Sequence, residues 1–133
     1  MKTARALAAV IAVVLLGAPL RAHHGTGTYD STKSVTLSGV VTEFSFVNPH
    51  AALFFDVKDA AGKVVNWAIE MNSPGVLKRA GWTKNTFKPG DQITITVRPA
   101  KAGTPVGLIN RAQPVLVNGK QELSGDRTAN AID

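Results

Sequence analysis

The chain has 133 residues, no cysteine and a formal net charge of +6. This length is typical of a single domain, and the absence of cysteine excludes a small fold held together by disulfides. Three of the basic residues, Lys2, Arg5 and Arg21, lie near the start of the chain, and without them the net charge falls to +3. So mild a charge does not indicate a nucleic-acid-binding protein.

Residues 1–22 have the features of a secretory signal peptide. Lys2 and Arg5 precede an uncharged apolar run over residues 6–20. That run is shorter than the roughly 20 residues that a membrane-spanning helix needs, and a small residue suitable for cleavage ends the segment. We therefore predict cleavage before His23, a periplasmic or secreted protein, and no membrane insertion after cleavage.

The remaining chain divides by composition into three parts. Residues 23–34 are polar and rich in glycine and threonine, which predicts an N-terminal arm. Residues 35–123 combine apolar runs with turn motifs and form the predicted domain. Residues 124–133 are polar and predict a tail.

The first predicted strand begins at Val35 and contains a change in the face that its apolar residues occupy. Leu37 and Val41 share one parity, whereas Phe44 and Phe46 share the other. A strand with a period of two residues cannot bury both sets without a break. Gly39 is the residue at which a bulge or a sharp bend would bring them together.

Two further strands follow, separated by turns. An Asn-Pro turn precedes His50. The next strand alternates through Leu53, Phe55 and Val57, and a hairpin turn over residues 59–62 leads to the third. The third strand alternates through Val65, Trp67 and Ile69.

The periodicity then changes from that of a strand to that of a short helix. Ser73 is a suitable N-cap, Pro74 suits the first helical position, and Gly81 suits the end. A strand containing Ile93, Ile95 and Val97 comes next. A loop over residues 102–107 then leads to a last strand ending at 115–117, and Asn118-Gly119 predicts a hairpin that folds residues 120–123 back.

This order predicts a mainly β protein, specifically a small OB-like five-stranded barrel. In that fold one short helix between strands 3 and 4 covers an end of the barrel. A small β-sandwich is the alternative. The barrel requires one shared core from the inward-facing residues of two separate strands: Leu53, Phe55, Val57, Ile93, Ile95 and Val97.

Several short motifs follow one another along the chain. They are the His-His-Gly…Tyr-Asp opening from His23, the Gly-Val-Val-Thr-Glu-Phe strand from Gly39, the Asn-Pro-His turn ending at His50, the Trp…Glu strand ending at Glu70, the Pro…Leu…Gly-Trp helix ending at Trp82, and the Lys-Pro-Gly-Asp turn ending at Asp91. In this order they resemble the motifs of a family of small exported bacterial proteins of unknown function, DUF6152. The resemblance covers roughly residues 23–123. It implies a periplasmic, OB-like domain and supplies no activity or site residues.

The three histidines of the chain, His23, His24 and His50, are candidate metal ligands. Signal cleavage would free the α-amino group of His23, and its ordinary pKa of about 7.7–8 leaves part of it neutral near pH 7. Such nitrogen-rich sites favour Cu(II) among common divalent ions. The amine with His23 and His50 would form a histidine brace, whereas the amine with His24 would form a simpler amino-terminal copper site.

The same residues also have an interpretation without metal. His50 is suited to capping the Asn-Pro turn or donating to a backbone carbonyl, and adjacent histidines after a cleavage site can simply be solvated. Glu70, at the end of the third strand, is either an additional metal ligand or a solvated carboxylate.

No residue pattern predicts an enzyme. The carboxylates are scattered over separate strands and turns, so they form no evident acid–base pair. There is no cysteine, and no serine lies in a Gly-x-Ser-x-Gly setting. A copper-dependent oxidase built on a histidine brace is the enzymatic alternative.

We therefore predict an exported, non-enzymatic binding module whose candidate ligand is copper, held by the mature amino terminus, His23, His24 and His50. The alternative is a metal-free module of OB-like fold that binds a protein or a glycan. For that alternative, Phe54 is the candidate exposed aromatic because it is out of phase with its neighbours. Neither interpretation includes a nucleic-acid partner.

Overall fold

The computed structural model describes residues 26–123, in which a short 3-10 helix precedes a sheet of seven strands and one short α-helix. None of the helices in this part of the chain has the length and apolar character needed to cross a membrane. The elements are the 3-10 helix Thr26–Thr28, β1 Val35–Ser45, β2 Ala52–Lys58, β3 Val64–Glu70, α1 Pro74–Arg79, β4 Gln92–Pro99, β5 Val106–Ile109, β6 Val115–Val117 and β7 Lys120–Leu123.

Five of the strands close into a barrel. β1 is antiparallel to β2, and β2 is antiparallel to β3. β5 lies parallel to β3 and antiparallel to β4, and β4 returns to β1. With α1 placed between β3 and β4, this is the topology of an OB-type barrel. The predicted five-stranded barrel is confirmed, and the sandwich alternative is wrong.

β1 is long enough to contact two neighbours. Its first half pairs with β4 and its second half with β2, with Val40 in both ladders. A β-bulge between Val41 and Glu43 shifts the register, so that Leu37 and Val41 before it and Phe44 after it all contact the core. The face of β1 that the apolar residues occupy therefore changes at the bulge, two to three residues after Gly39.

Gly39 has a different role from the predicted one. A Cβ atom at this position would lie 2.2 Å from the backbone carbonyl oxygen of Asp56. Glycine therefore allows the close approach of β1 to β2 at the point where β1 leaves β4.

The predicted last strand consists of two separate strands. β5 closes the barrel between β3 and β4, whereas β6 pairs with the first part of β4, where Ile93 opposes Val117. β7 then folds back on β6. The turn between them uses Asn118 and Gly119, both with positive φ, as expected of an Asn-Gly hairpin.

The helix has the predicted ends. The hydroxyl oxygen of Ser73 accepts a hydrogen bond from the amide of Val76 at 3.5 Å, and Pro74 occupies the first turn. Gly81 adopts a φ of +91° just after the helix, and Leu77 is buried in the core.

The interior of the barrel is apolar and shared by all the predicted inward-facing residues. Val57 is partly buried against this core, and the other five predicted residues are fully buried in it. Trp82 and Phe87, which follow the helix, cover it with rings in an edge-to-face contact whose centroids are 5.1 Å apart. The predicted members that are fully buried are Leu53, Phe55, Ile93, Ile95 and Val97.

The chain before β1 contacts the barrel within the described residues. Tyr29 is buried and forms an isolated bridge with Ala100. The amide of Asp30 donates to the carbonyl oxygen of Pro99, and the amide of Lys101 donates to that of Thr28. This short ladder fixes the start of the described chain beside the end of β4.

Candidate functional site

A cleft of about 660 Å³ lies beside Tyr29, the buried residue of the short ladder before β1. Its walls come from the ends of β3 and β4, from β5 and the segment after it, from the start of α1, and from two residues distant in sequence, Tyr29 and His50. A cavity of this volume is within the range of small-molecule sites. Polar and charged side chains lie in it next to apolar ones, so its chemistry differs from that of the barrel interior.

Three side chains from separate segments meet in the cleft. The hydroxyl of Tyr29 donates a hydrogen bond of 2.6 Å to Oε2 of Glu70. The other oxygen of the same carboxylate lies 3.5 Å from Nδ1 of His50. The end of β3 thereby connects the segment before β1 with the turn between β1 and β2.

The backbone brings these groups together for identifiable reasons. Beyond the β2–β3 ladder, the amide of Met71 donates to the carbonyl of Ala51, and the amide of Ala51 donates to that of Asn72. This extension holds the residue before Ala51, His50, alongside the end of β3. The Asn48–Pro49 peptide bond immediately before His50 is cis.

The hydrogen bonding of His50 indicates which ring nitrogen carries the proton when the ring is neutral. Nδ1 lies 3.2 Å from the carbonyl oxygen of Met71. A carbonyl oxygen only accepts, so we assign the ring proton to Nδ1. The neutral ring then has its lone pair on Nε2, which makes no hydrogen bond within the described residues. The side chain of His50 is 56% exposed. His50 is therefore fixed at one nitrogen and open at the other.

Tyr29 is held in its protonated, donating form. Burial, followed by the hydrogen bond to Glu70 and the negative charge of that carboxylate, raises the pKa of Tyr29 well above its ordinary value of about 10. At neutral pH the hydroxyl proton therefore stays on Tyr29, and Glu70 is the acceptor.

Two arginines also line the cleft. Arg98 is exposed at the end of β4, and Arg111 is half-buried after β5. Burial, and next the positive charge of Arg98, lower the pKa of Arg111.

Of the predicted metal ligands, only His50 lies in the described part of the chain. His23 and His24 lie outside the described residues, so the predicted copper site remains a prediction. Within residues 26–123, no group of three or more His, Asp or Glu side chains is arranged to hold a metal ion. Glu70, the candidate additional ligand, lies beside His50.

The sequence did not single out Tyr29, Arg98 or Arg111 as site residues. Tyr29 is a single aromatic residue in a polar segment, so it belongs to no strand or helix periodicity in the sequence. Arg98 is an outward-facing residue of an alternating strand, and Arg111 follows a loop. Their meeting depends on the β4–β5 pairing and on the Tyr29–Ala100 bridge, neither of which leaves a local pattern in the sequence.

The aromatic residues mostly serve the core. Phe44 and Phe87 are in edge-to-face contact, with centroids 5.0 Å apart, and Phe46 also packs against the core. Phe54 faces out from β2, opposite Ala68, and is half-buried. It therefore presents only part of its ring to solvent.

The closed barrel and its helix define an OB-fold domain with a polar cleft at its side. The chain belongs to DUF6152, a family of unknown function whose model matches residues 10–111. Comparison with curated proteins gives no significant match.

Solved structures with a similar fold have low sequence identity. A mitochondrial single-stranded DNA-binding protein from S. cerevisiae, Rim1, is 10% identical, with a TM-score of 0.44 over 64% of this chain and 92% of that one. The N-terminal domain of PriB from Thermoanaerobacter tencongensis is 15% identical, with a TM-score of 0.38 over 65% of this chain and 96% of that one.

Proposed function

We propose that the protein is an exported, non-enzymatic binding module that holds a copper ion between its mature amino terminus, His23, His24 and His50. The observation that carries this proposal is the contact chain from Tyr29 through Glu70 to His50. It fixes the segment that follows the two adjacent histidines beside the third.

The length of chain involved favours this arrangement. Tyr29 is buried and comes only five residues after His24. Five extended residues span at most about 17 Å. Because the hydroxyl of Tyr29 bonds to the carboxylate that also faces His50, this short segment is long enough for the adjacent histidines to reach the His50 ring.

The environment of His50 also suits a metal ligand. Histidines that bind metals usually donate their other ring nitrogen to a backbone carbonyl or a carboxylate, which fixes the tautomer and the ring orientation. Nδ1 of His50 lies near one group of each kind, the carbonyl of Met71 and the carboxylate of Glu70. With an amine and imidazoles as ligands, Cu(II) is the divalent ion expected to bind most tightly.

Export is tested together with the ligand set. Protein produced from the full-length coding sequence in a bacterial host is recovered from the periplasm, and its mass establishes the first residue. A start at His23 is expected. Protein that stays in the cytoplasm, or that retains residues 1–22, would contradict the export part of the proposal.

Copper binding is then measured by Cu(II) titration and electron paramagnetic resonance on this protein. Three samples are compared: the protein beginning at His23, the variant His50→Ala, and the protein with the α-amine of His23 acetylated. We expect one-to-one binding with nitrogen hyperfine coupling. The coupling should change in His50→Ala, and the affinity should fall when acetylation removes the α-amine as a ligand.

Each other outcome has a defined meaning. Binding that His50→Ala leaves unchanged would reduce the site to a chelating amino terminus and overturn the role of His50. Absence of binding would leave the metal-free protein- or glycan-binding module. Oxygen consumption by the copper-loaded protein with a reductant, lost in His50→Ala, would favour an oxidase over a binding module.

A further inference from the structure

The turn between β6 and β7 contains a chemically labile pair, Asn118-Gly119. Asn118 is the only asparagine of the chain that is followed by glycine. Glycine has no side chain, so its backbone nitrogen is accessible to the side-chain amide of the preceding asparagine. Asn118 is also exposed to solvent. These features make Asn118 the asparagine of this sequence that is most susceptible to deamidation.

The reaction consumes only water. The backbone nitrogen of Gly119 bonds to Cγ of Asn118 and loses its proton, the Cγ–Nδ2 bond breaks, and the amide nitrogen leaves with that proton as ammonia. Water then opens the resulting succinimide ring at one of its two carbonyl carbons, which gives aspartate or isoaspartate. No oxidant or reductant takes part.

The native structure engages both polar atoms of the Asn118 side chain. Its Oδ1 accepts a hydrogen bond of 2.9 Å from the amide of Gln92, and its Nδ2 donates one of 3.0 Å to Oδ1 of Asp91. The backbone amide of Asn118 also donates to the carbonyl oxygen of Gln92 at 2.8 Å. Cγ must turn towards Gly119 to form the ring, so both side-chain hydrogen bonds must break first. The start of β4 therefore protects Asn118 from the reaction.

The partner of Nδ2 is itself fixed. Oδ2 of Asp91 accepts a hydrogen bond of 2.8 Å from the amide of Lys88, and the amide of Asp91 donates to the carbonyl of Lys88 at 3.0 Å. An aspartate at position 118 would have a carboxylate oxygen where Asn118 has its donor, facing Asp91. Two carboxylates at this distance repel each other. The product therefore weakens the contact that protected Asn118.

We propose that Asn118 is a modification site that reports loss of the native fold. It is protected while the β6–β7 hairpin contacts the start of β4, and it deamidates when this contact opens. The carboxylate that forms then disfavours closure, so that the change is not reversed on refolding. The proposal does not depend on the proposed copper site.

The test is peptide mapping by mass spectrometry of protein produced from the full-length coding sequence. Folded protein and protein in concentrated urea are incubated at the same mildly alkaline pH. Deamidation replaces NH₂ by OH and so raises the mass of the peptide that contains Asn118. Because local opening must precede reaction in the folded protein, we expect it to deamidate at least about tenfold more slowly than the protein in urea.

Matched variants assign this protection to the contact with Asp91. Asp91→Ala should increase the rate in the folded protein severalfold. Asp59→Ala is the control, because Asp59 is also a turn aspartate that accepts backbone hydrogen bonds, from the amides of Ala61 and Lys63, but it does not contact Asn118. It should leave the rate unchanged. In urea the unmodified protein and both variants should react at one rate.

The effect of the product is measured with Asn118→Asp in urea denaturation near neutral pH. This variant should unfold at a lower urea concentration than the unmodified protein. Adding Asp91→Asn removes the repulsion and restores a donor between the two side chains, so the double variant should recover part of the loss. Asp91→Asn alone gives the fourth point of the cycle.

Two results would overturn the proposal. Equal deamidation rates in the folded protein and in urea, or a rate that Asp91→Ala leaves unchanged, would show that the contact does not protect Asn118. Additive effects of Asn118→Asp and Asp91→Asn would show that the new carboxylate does not act through Asp91.

Discussion

The barrel interior and the cleft are formed by neighbouring residues of the same strands. On β3, Ile69 is buried in the core while the next residue, Glu70, lines the cleft. On β4, Val97 is fully buried while Arg98 lines the cleft. Successive side chains of a strand point to opposite faces, so one strand provides both the packing that stabilises the fold and the polar groups that line the cleft.

The two regions differ in what holds them together. The interior depends on close contact between strands, which glycine permits at Gly39 and Gly107. The cleft depends on a few polar contacts, chiefly those of Tyr29, Glu70 and His50. Substitutions in the interior should therefore change stability, whereas substitutions in the cleft should change ligand binding with smaller effects on stability.

The largest expected loss of stability is for Gly39→Val. Its Cβ atom would lie 2.2 Å from the backbone oxygen of Asp56, and a backbone atom of a paired strand cannot move aside without breaking the ladder. We expect a loss of about 3 kcal/mol or more in the free energy of unfolding, measured by urea denaturation. Gly75→Ala, in α1 with nothing within 4 Å of the new Cβ, is the control and should be neutral or slightly stabilising. Equal stability of the two variants would contradict the proposed close approach.

The next effect is for Gly107→Ala in β5. The nearest atom to its Cβ would be a methyl carbon of Val97 at 2.9 Å, and a side chain can shift more easily than backbone. We expect a loss of about 1–2 kcal/mol. In a Val97→Ala background, which makes room for the new methyl group, the same substitution should cost less. Additive effects in this double-mutant cycle would show that the two positions do not compete for space.

A smaller effect is expected for Tyr29→Phe, which removes the hydrogen bond to Glu70. Hydrogen bonds to charged groups contribute about 1.5–3 kcal/mol, and we expect a loss near the lower value because Glu70 is not fully buried. Thermal or urea denaturation at pH 8 measures it. Tyr29→Phe should also change the copper spectrum less than His50→Ala does.

The same contact predicts a pH dependence. The native state raises the pKa of Tyr29, so it holds this proton more tightly than the unfolded chain, where tyrosine titrates near pH 10. The contribution of Tyr29 is complete below that pH and is lost as the pH rises above it. The difference in unfolding free energy between the unmodified protein and Tyr29→Phe should therefore shrink between pH 9 and 11. A constant difference would contradict the hydrogen bond.

The smallest expected effect on stability is for Arg98→Gln. Arg98 is exposed and makes no ion pair within the described residues, so its free energy of unfolding should stay within about 0.5 kcal/mol of the unmodified value. A large loss of stability would show that Arg98 helps to stabilise the barrel. It would contradict the proposed difference between the barrel interior and the cleft.

The barrel was predictable because its signals are local. Alternation in β2, β3 and β4 identified the strands and the core, and Ser73, Pro74 and Gly81 bounded the helix. Two details of the prediction were wrong: the position of the parity change in β1 and the extent of the last strand. The parity change was expected at Gly39 and lies at the bulge after Val41. Its position was hard to predict because a bulge needs no special residue.

The division of the last strand was missed for a related reason. β5 is only four residues long, and it is defined by parallel pairing to β3 that no local pattern reveals. The cleft is still harder to predict. Tyr29, Glu70 and Arg98 come from distant positions, and only the closed barrel brings them to one place.

The hairpin of β6 and β7 gives the described sheet something that the closed barrel lacks, an edge strand. In the described residues β7 pairs only with β6. Lys120 puts a positive charge at the start of this short strand, and charged side chains on an edge strand are a common way for proteins to discourage unwanted strand addition. If copies of this chain associate through their sheets, we expect the join to begin at β7.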